Sequence, residues 1–131
     1  MDENKNIKDL REAEPYDIAA NIIRILDEKK GRDLRLLHVE EQSSLTSYLV
    51  LCSGTSNTQI KALAGEVEYT MALCGQTALN MEGYNEGTWI VIDFGSVMVH
   101  IFGRDTRDFY KLEKLYEKTA EVDIKELLTE Q

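Results

Sequence analysis

The chain is short of cations, of cysteine and of long apolar runs, and each shortage excludes something. Lys and Arg number 15 against 24 Asp and Glu, a formal net charge of −9. A phosphate backbone is gripped by concentrated Lys and Arg, so wide contact with nucleic acid is disfavoured and a basic partner, most simply a protein, is favoured. The two cysteines, Cys52 and Cys74, sit inside apolar segments and form no CxxC. They read as small buried hydrophobes in a reducing compartment. No apolar run approaches the roughly 18 residues needed to span a bilayer. Met1-Asp2-Glu3-Asn4-Lys5 has no apolar core of a secretion signal and is too acidic for a mitochondrial leader, which points to the cytoplasm. Phosphate-binding GxxxxGK[ST], a GxGxxG after a strand and the GxSxG nucleophile turn are all missing, and no cofactor is implied.

What remains is a chain of 131 residues with 43% hydrophobic residues, enough for one compact domain. Residues 1–14 read as a flexible polar lead-in, 15–120 as the domain and 121–131 as an acidic extension, either helical or mobile. Pro15 suits the first turn of a helix, and Ile18, Ile22, Ile25 and Leu26 form its apolar stripe up to Lys29-Lys30-Gly31. Leu34 to Val39 reads as a strand. Tyr48-Leu49-Val50-Leu51-Cys52 is a continuous apolar run, the pattern of a strand covered on both faces. Ser53-Gly54-Thr55-Ser56-Asn57 then turns into a helix bearing Ile60, Leu63, Ala64, Val67, Met71 and Cys74. A weaker strand is expected over 77–81. Trp89-Ile90-Val91-Ile92-Asp93-Phe94 and Val97-Met98-Val99-His100-Ile101-Phe102 form a hairpin about Gly95-Ser96. A last helix, capped by Asp105 or Thr106, carries Phe109, Leu112, Leu115 and Tyr116, and its face extends to Ala120. The order predicts an α/β (α+β) domain, with a mixed sheet of about five strands and flanking helices.

No segment declares an active site. The Ser53–Asn57 turn has free backbone N–H groups that could hold a phosphate, which leaves a nucleotide-binding enzyme of nucleotidyltransferase type as an alternative; capping is the plainer reading. His100 stands alone in a strand, with no second ligand at metal spacing, so no metal site is expected; a structural or interface residue is the plainer reading, and general acid–base work the alternative. Asp93 ends a strand, where with Glu82 it could serve acid–base or metal chemistry; the plainer readings are a residue that holds the hairpin turn or an acceptor for a basic partner. Tyr84, Trp89, Phe94 and Phe102 concentrate aromatic area around the hairpin, and Trp and Tyr are the residues that most often anchor interfaces.

Six stretches, in this order and at these separations, resemble one family. They are Ser44-Leu45-Thr46-Ser47-Tyr48; Ser53-Gly54-Thr55-Ser56-Asn57; Glu82-Gly83; Trp89-Ile90-Val91-Ile92-Asp93-Phe94-Gly95; Val97-Met98-Val99-His100; and Arg107-Asp108-Phe109-Tyr110-Lys111-Leu112-Glu113-Lys114-Leu115-Tyr116. The chain is similar to the ribosomal silencing factor (Iojap-related) proteins over about residues 15–116, with Ser47 where that family usually has Asp. The resemblance implies a nucleotidyltransferase-like fold without the catalytic carboxylates, and no enzyme activity. It implies binding to the large ribosomal subunit through ribosomal protein fourteen, which blocks joining of the small subunit and represses translation. It further implies little direct RNA contact, no membrane and a homodimer when free. The contact residues it implies are Trp89 and Phe94 as apolar anchors and Asp93 and Glu82 as acidic acceptors. Gly95 lies in the turn, and His100 is at or behind the patch.

Overall fold

The computed structural model describes residues 7–39, 46–110 and 119–129. Helix α1 (Pro15–Glu28) starts with Pro at its first position and buries Ile18, Ile22, Ile23, Ile25 and Leu26. Full burial of each such side chain is worth about 1.5–3 kcal/mol, far more than helix propensity supplies. The helix stops through Lys30, which takes the left-handed conformation (φ 70), and Gly31, whose N–H bonds the Leu26 carbonyl at 2.8 Å. Gly31 is needed there for space: a Cβ would stand 2.6 Å from the Cys52 sulfur.

Strand β1 (Arg32–Val39) pairs antiparallel with β2 (Tyr48–Gly54). Helix α2 (Asn57–Leu73) crosses over and buries Ile60, Leu63, Ala64, Val67 and Met71. Strands β3 (Asn80–Glu82), β4 (Trp89–Asp93) and β5 (Val97–Gly103) follow as an antiparallel meander, and β5 returns parallel to β2. Helix α3 (Arg104–Tyr110) leaves the end of β5. The expected helical face at Leu112, Leu115 and Tyr116 lies outside the described residues. The sheet has six strands in the order β3-β4-β5-β2-β1-β6, so the expectation of a mixed α/β sheet holds.

The sixth strand, β6 (Thr119–Val122), is a correction. Residues after 120 were expected to be helical or mobile, yet β6 pairs antiparallel with β1 and Arg35 grips Glu121 at 2.6 Å. A 3-10 turn (Lys125–Leu127) follows, Ile124 is buried, and Thr129 donates its backbone N–H to Asp27 at 2.7 Å. The lead-in is corrected too. Leu10 is buried, its N–H donates to the Cys74 carbonyl at 2.8 Å, and Gln76 donates to the Leu10 carbonyl at 2.7 Å.

The two faces of the sheet differ. On one, Leu36, Val50, Cys52, Ile90, Ile92, Val97, Val99 and Ile101 meet the stripes of α1 and α2 in the main core. On the other, Leu37, Leu49, Leu51 and Phe102 form a smaller cluster, with Trp89, Met98 and Val39 partly open at its margin. Arg107 of α3 lies over the Phe102 ring at 5.2 Å and donates to the Ser53 hydroxyl at 2.8 Å and the Asp33 carbonyl at 3.0 Å. A buried guanidinium is tolerable only with acceptors such as these.

Candidate docking surface

Side chains alternate along β4. Ile90 and Ile92 point into the core, while Trp89, Val91 and Asp93 point to the opposite face and are partly open. Residues paired across strands share a face, which sets the rest of the surface. Glu82 stands beside Val91, and Asn80 beside Asp93, which in turn is beside Met98. Trp89, Val91 and Met98 thus make an apolar strip at the β3–β4–β5 end of the sheet. Glu82 and Asp93 edge it with carboxylates. Glu82 is exposed and accepts from the Asn80 side chain at 3.0 Å.

The turn geometry holds this edge in place. Phe94 N–H bonds the Val97 carbonyl across Gly95-Ser96, and Gly95 adopts φ +87, as a glycine-first two-residue turn requires. Asp93 Oδ1 accepts the Gly95 N–H at 2.7 Å. Asp93 therefore serves the turn with one carboxylate oxygen, the turn-holding role its place at the strand end suggests. Gly83, at φ +86, lets the backbones of β3 and β4 close up: a Cβ there would lie 2.1 Å from the Trp89 carbonyl oxygen.

The six anticipated contact residues are not all on one surface. Trp89, Asp93, Glu82 and the Gly95 turn gather at this end. Phe94 does not: it is 6% exposed and belongs to the core shared with α1 and α2. The reason is parity. Phe94 continues the inward series Ile90, Ile92, so it cannot share a face with Trp89. The six-residue run carried that signal, and the aromatic clustering obscured it. His100 is on the same face as Trp89 but is 7% exposed, and its Nδ1 accepts the Trp89 indole N–H at 3.2 Å. Burial pushes the His100 pKa down to about 4, so the ring is neutral at physiological pH.

One residue was passed over. Leu79, just before β3, is 71% exposed, and its N–H bonds the Asp93 carbonyl at 2.7 Å. Its side chain lies by the Gly95 turn, where a Cβ on Gly95 would be 3.5 Å from it. It is an exposed apolar side chain at the Gly95 turn, tied through its backbone to Asp93. Leu79 follows Ala78 in a segment that reads as a strand, so the sequence gives no sign of its exposure.

The Ser53–Asn57 turn does what capping requires. Ser56 Oγ accepts the Gln59 N–H at 3.1 Å, and Gln59 Oε1 accepts the Thr55 N–H at 2.6 Å. The turn borders an open crevice of about 650 Å³ at the carboxyl ends of β2 and β5. Arg32 and Arg104 line it together with Asp33 and Asp105, so its formal charges cancel. Arg104 already faces Asp33 at 3.6 Å. No helix among the described residues is long and apolar enough to cross a membrane.

The family described as "Ribosomal silencing factor during starvation" matches residues 12–131. The chain belongs to the ribosomal silencing factor family. The ribosomal silencing factor of Haemophilus influenzae is 38% identical over 95 residues, 72% of this chain and 93% of that one. A mouse protein named for mitochondrial assembly of the ribosomal large subunit is 30% identical over 72% of this chain and 43% of its own length. A crystal structure of a protein from Chromobacterium violaceum superposes with a TM-score of 0.76 at 33% identity, over 79% of this chain and 86% of that one. The family's name is that of a silencing factor of the ribosome, and it is no enzyme name.

Proposed function

We propose that this protein binds the large ribosomal subunit through ribosomal protein fourteen and blocks joining of the small subunit, so repressing translation. One observation carries the reading: an apolar strip, Trp89–Val91–Met98, lies partly open and is edged by Glu82 and Asp93. The chain around it has a net charge of −9, which favours a cationic protein surface. Trp89 and Leu79 are the apolar anchors, and Glu82 and Asp93 accept Lys or Arg from the partner. Phe94 supports the turn from the core side. Inhibition needs no chemical step, since two bodies cannot occupy one intersubunit surface. An interface of about 1,600 Å² in total would suffice for micromolar to nanomolar affinity, depending on its anchors.

The test is capture of isolated ribosomal protein fourteen by the tagged protein, with and without Glu82→Lys. Retention by the unaltered protein and loss in the charge-reversed variant is expected. No retention at low micromolar concentration contradicts the assignment of the partner.

A further inference from the structure

Trp89 is the one tryptophan of the chain, and its ring is held from within. Trp89 pairs with Phe102 across β4–β5, and His100 pairs with Val91, so the indole and imidazole are diagonal neighbours on one face. Their centroids are 6.2 Å apart, and Phe102 closes the triangle at 6.4 Å from Trp89 and 6.5 Å from His100. The indole N–H, the only polar group of the side chain, points to His100 Nδ1 at 3.2 Å. An imidazole that accepts at Nδ1 carries its proton on Nε2, and only the neutral ring can do so.

We infer that His100 is a positioning residue: its Nδ1 fixes the Trp89 indole on the docking face, so that a partner meets an immobilised ring and not a hydrogen-bond donor. This rests on the docking surface proposed above. Two consequences follow. The ring is ordered before binding, so the partner does not have to immobilise it, a saving that corresponds to roughly three- to tenfold in affinity. The complementary group on the partner is an aliphatic stem or a Lys or Arg cation over the ring, because the N–H is already committed.

The experiment compares His100→Phe with His100→Asn in the full-length chain. Phe fills the space without an acceptor, whereas the Asn carboxamide oxygen can stand in for Nδ1. The near-ultraviolet circular dichroism and fluorescence anisotropy of the single Trp report the ring directly, and titration with purified large subunits reports binding. His100→Phe is expected to weaken the indole band, raise ring mobility and reduce affinity three- to tenfold; His100→Asn is expected to restore all three. An unchanged band and unchanged affinity in His100→Phe overturn the inference, as does failure of His100→Asn to restore them. If His100→Phe does not unfold cooperatively, His100→Gln replaces it. Gln extends its amide past the Nδ1 position and is expected to behave like Phe; behaviour like Asn overturns the inference. Should the unaltered protein not bind large subunits at all, the docking reading fails, and the spectroscopic arm still decides whether His100 orders the ring.

Discussion

Replacing Leu79 by Ser is the cleanest probe of the docking surface. Leu79 is 71% exposed, so the folded chain has little to lose from its removal. Substitutions at such positions usually change stability by within about 0.5 kcal/mol. Binding is another matter. Full burial of a Leu side chain is worth about 1.5–3 kcal/mol, and about seven-tenths of that remains available to a partner, so its loss should cost roughly 1–2 kcal/mol. That is about a five- to thirtyfold rise in Kd. The assay is titration of labelled protein with large subunits beside a thermal melt. A fall in affinity within that range, with Tm unchanged, supports the placement of Leu79 in the contact. Unchanged affinity removes Leu79 from the contact, and a lowered Tm shows that the side chain does more in the fold than its exposure indicates.

Three further outcomes are expected. Gly83→Ala should lower stability by at least about 1–2 kcal/mol in urea denaturation, because φ +86 is strained for an L-residue and its Cβ would meet the Trp89 carbonyl oxygen at 2.1 Å; a neutral result would mean that the β3–β4 backbones can separate freely. Truncation after residue 118 should destabilise the domain measurably, since it uncovers the edge of β1 and removes buried Ile124; an unaltered urea midpoint would show that β6 contributes nothing. The His100 pKa is depressed to about 4 in the folded chain from 6.5, so the unfolded chain binds more protons between those values. Its contribution is therefore complete above about pH 6.5 and declines as pH falls toward 4, by about 3 kcal/mol, and His100→Asn should flatten that part of the stability profile.

Much of the fold is legible in local patterns. In the run Tyr48–Cys52, Leu49 to Cys52 are buried and Tyr48 partly so, as a strand covered on both faces should be. The stripes of α1 and α2 and the Gly95-Ser96 turn likewise follow from period and turn chemistry. What the sequence hides depends on distant partners. Thr119-Ala120-Glu121-Val122 has no strong strand pattern; it is a strand because β1 offers an edge and Arg35 meets Glu121. Leu10 is one apolar residue among charges, buried because its side chain joins the main core while Cys74 and Gln76 hold its backbone. The third strand was expected over 77–81 and lies at Asn80–Glu82, since its limits are set by pairing with β4. Within the site, Trp89 and Asp93 were identified by residue type, while the inward direction of Phe94 needed the parity of β4 to be weighed above its aromatic character. Leu79 and the Trp89–His100 hydrogen bond could be seen only once the strands were paired.

The most direct measurement is sedimentation of purified large subunits with the protein, followed by addition of small subunits under conditions that favour joining. Steric silencing through the β3–β4 face predicts that the protein travels with the large subunit and that joined ribosomes decline in proportion to its occupancy, with both effects weakened in Leu79→Ser. Joining that proceeds normally on large subunits loaded with the protein would contradict it.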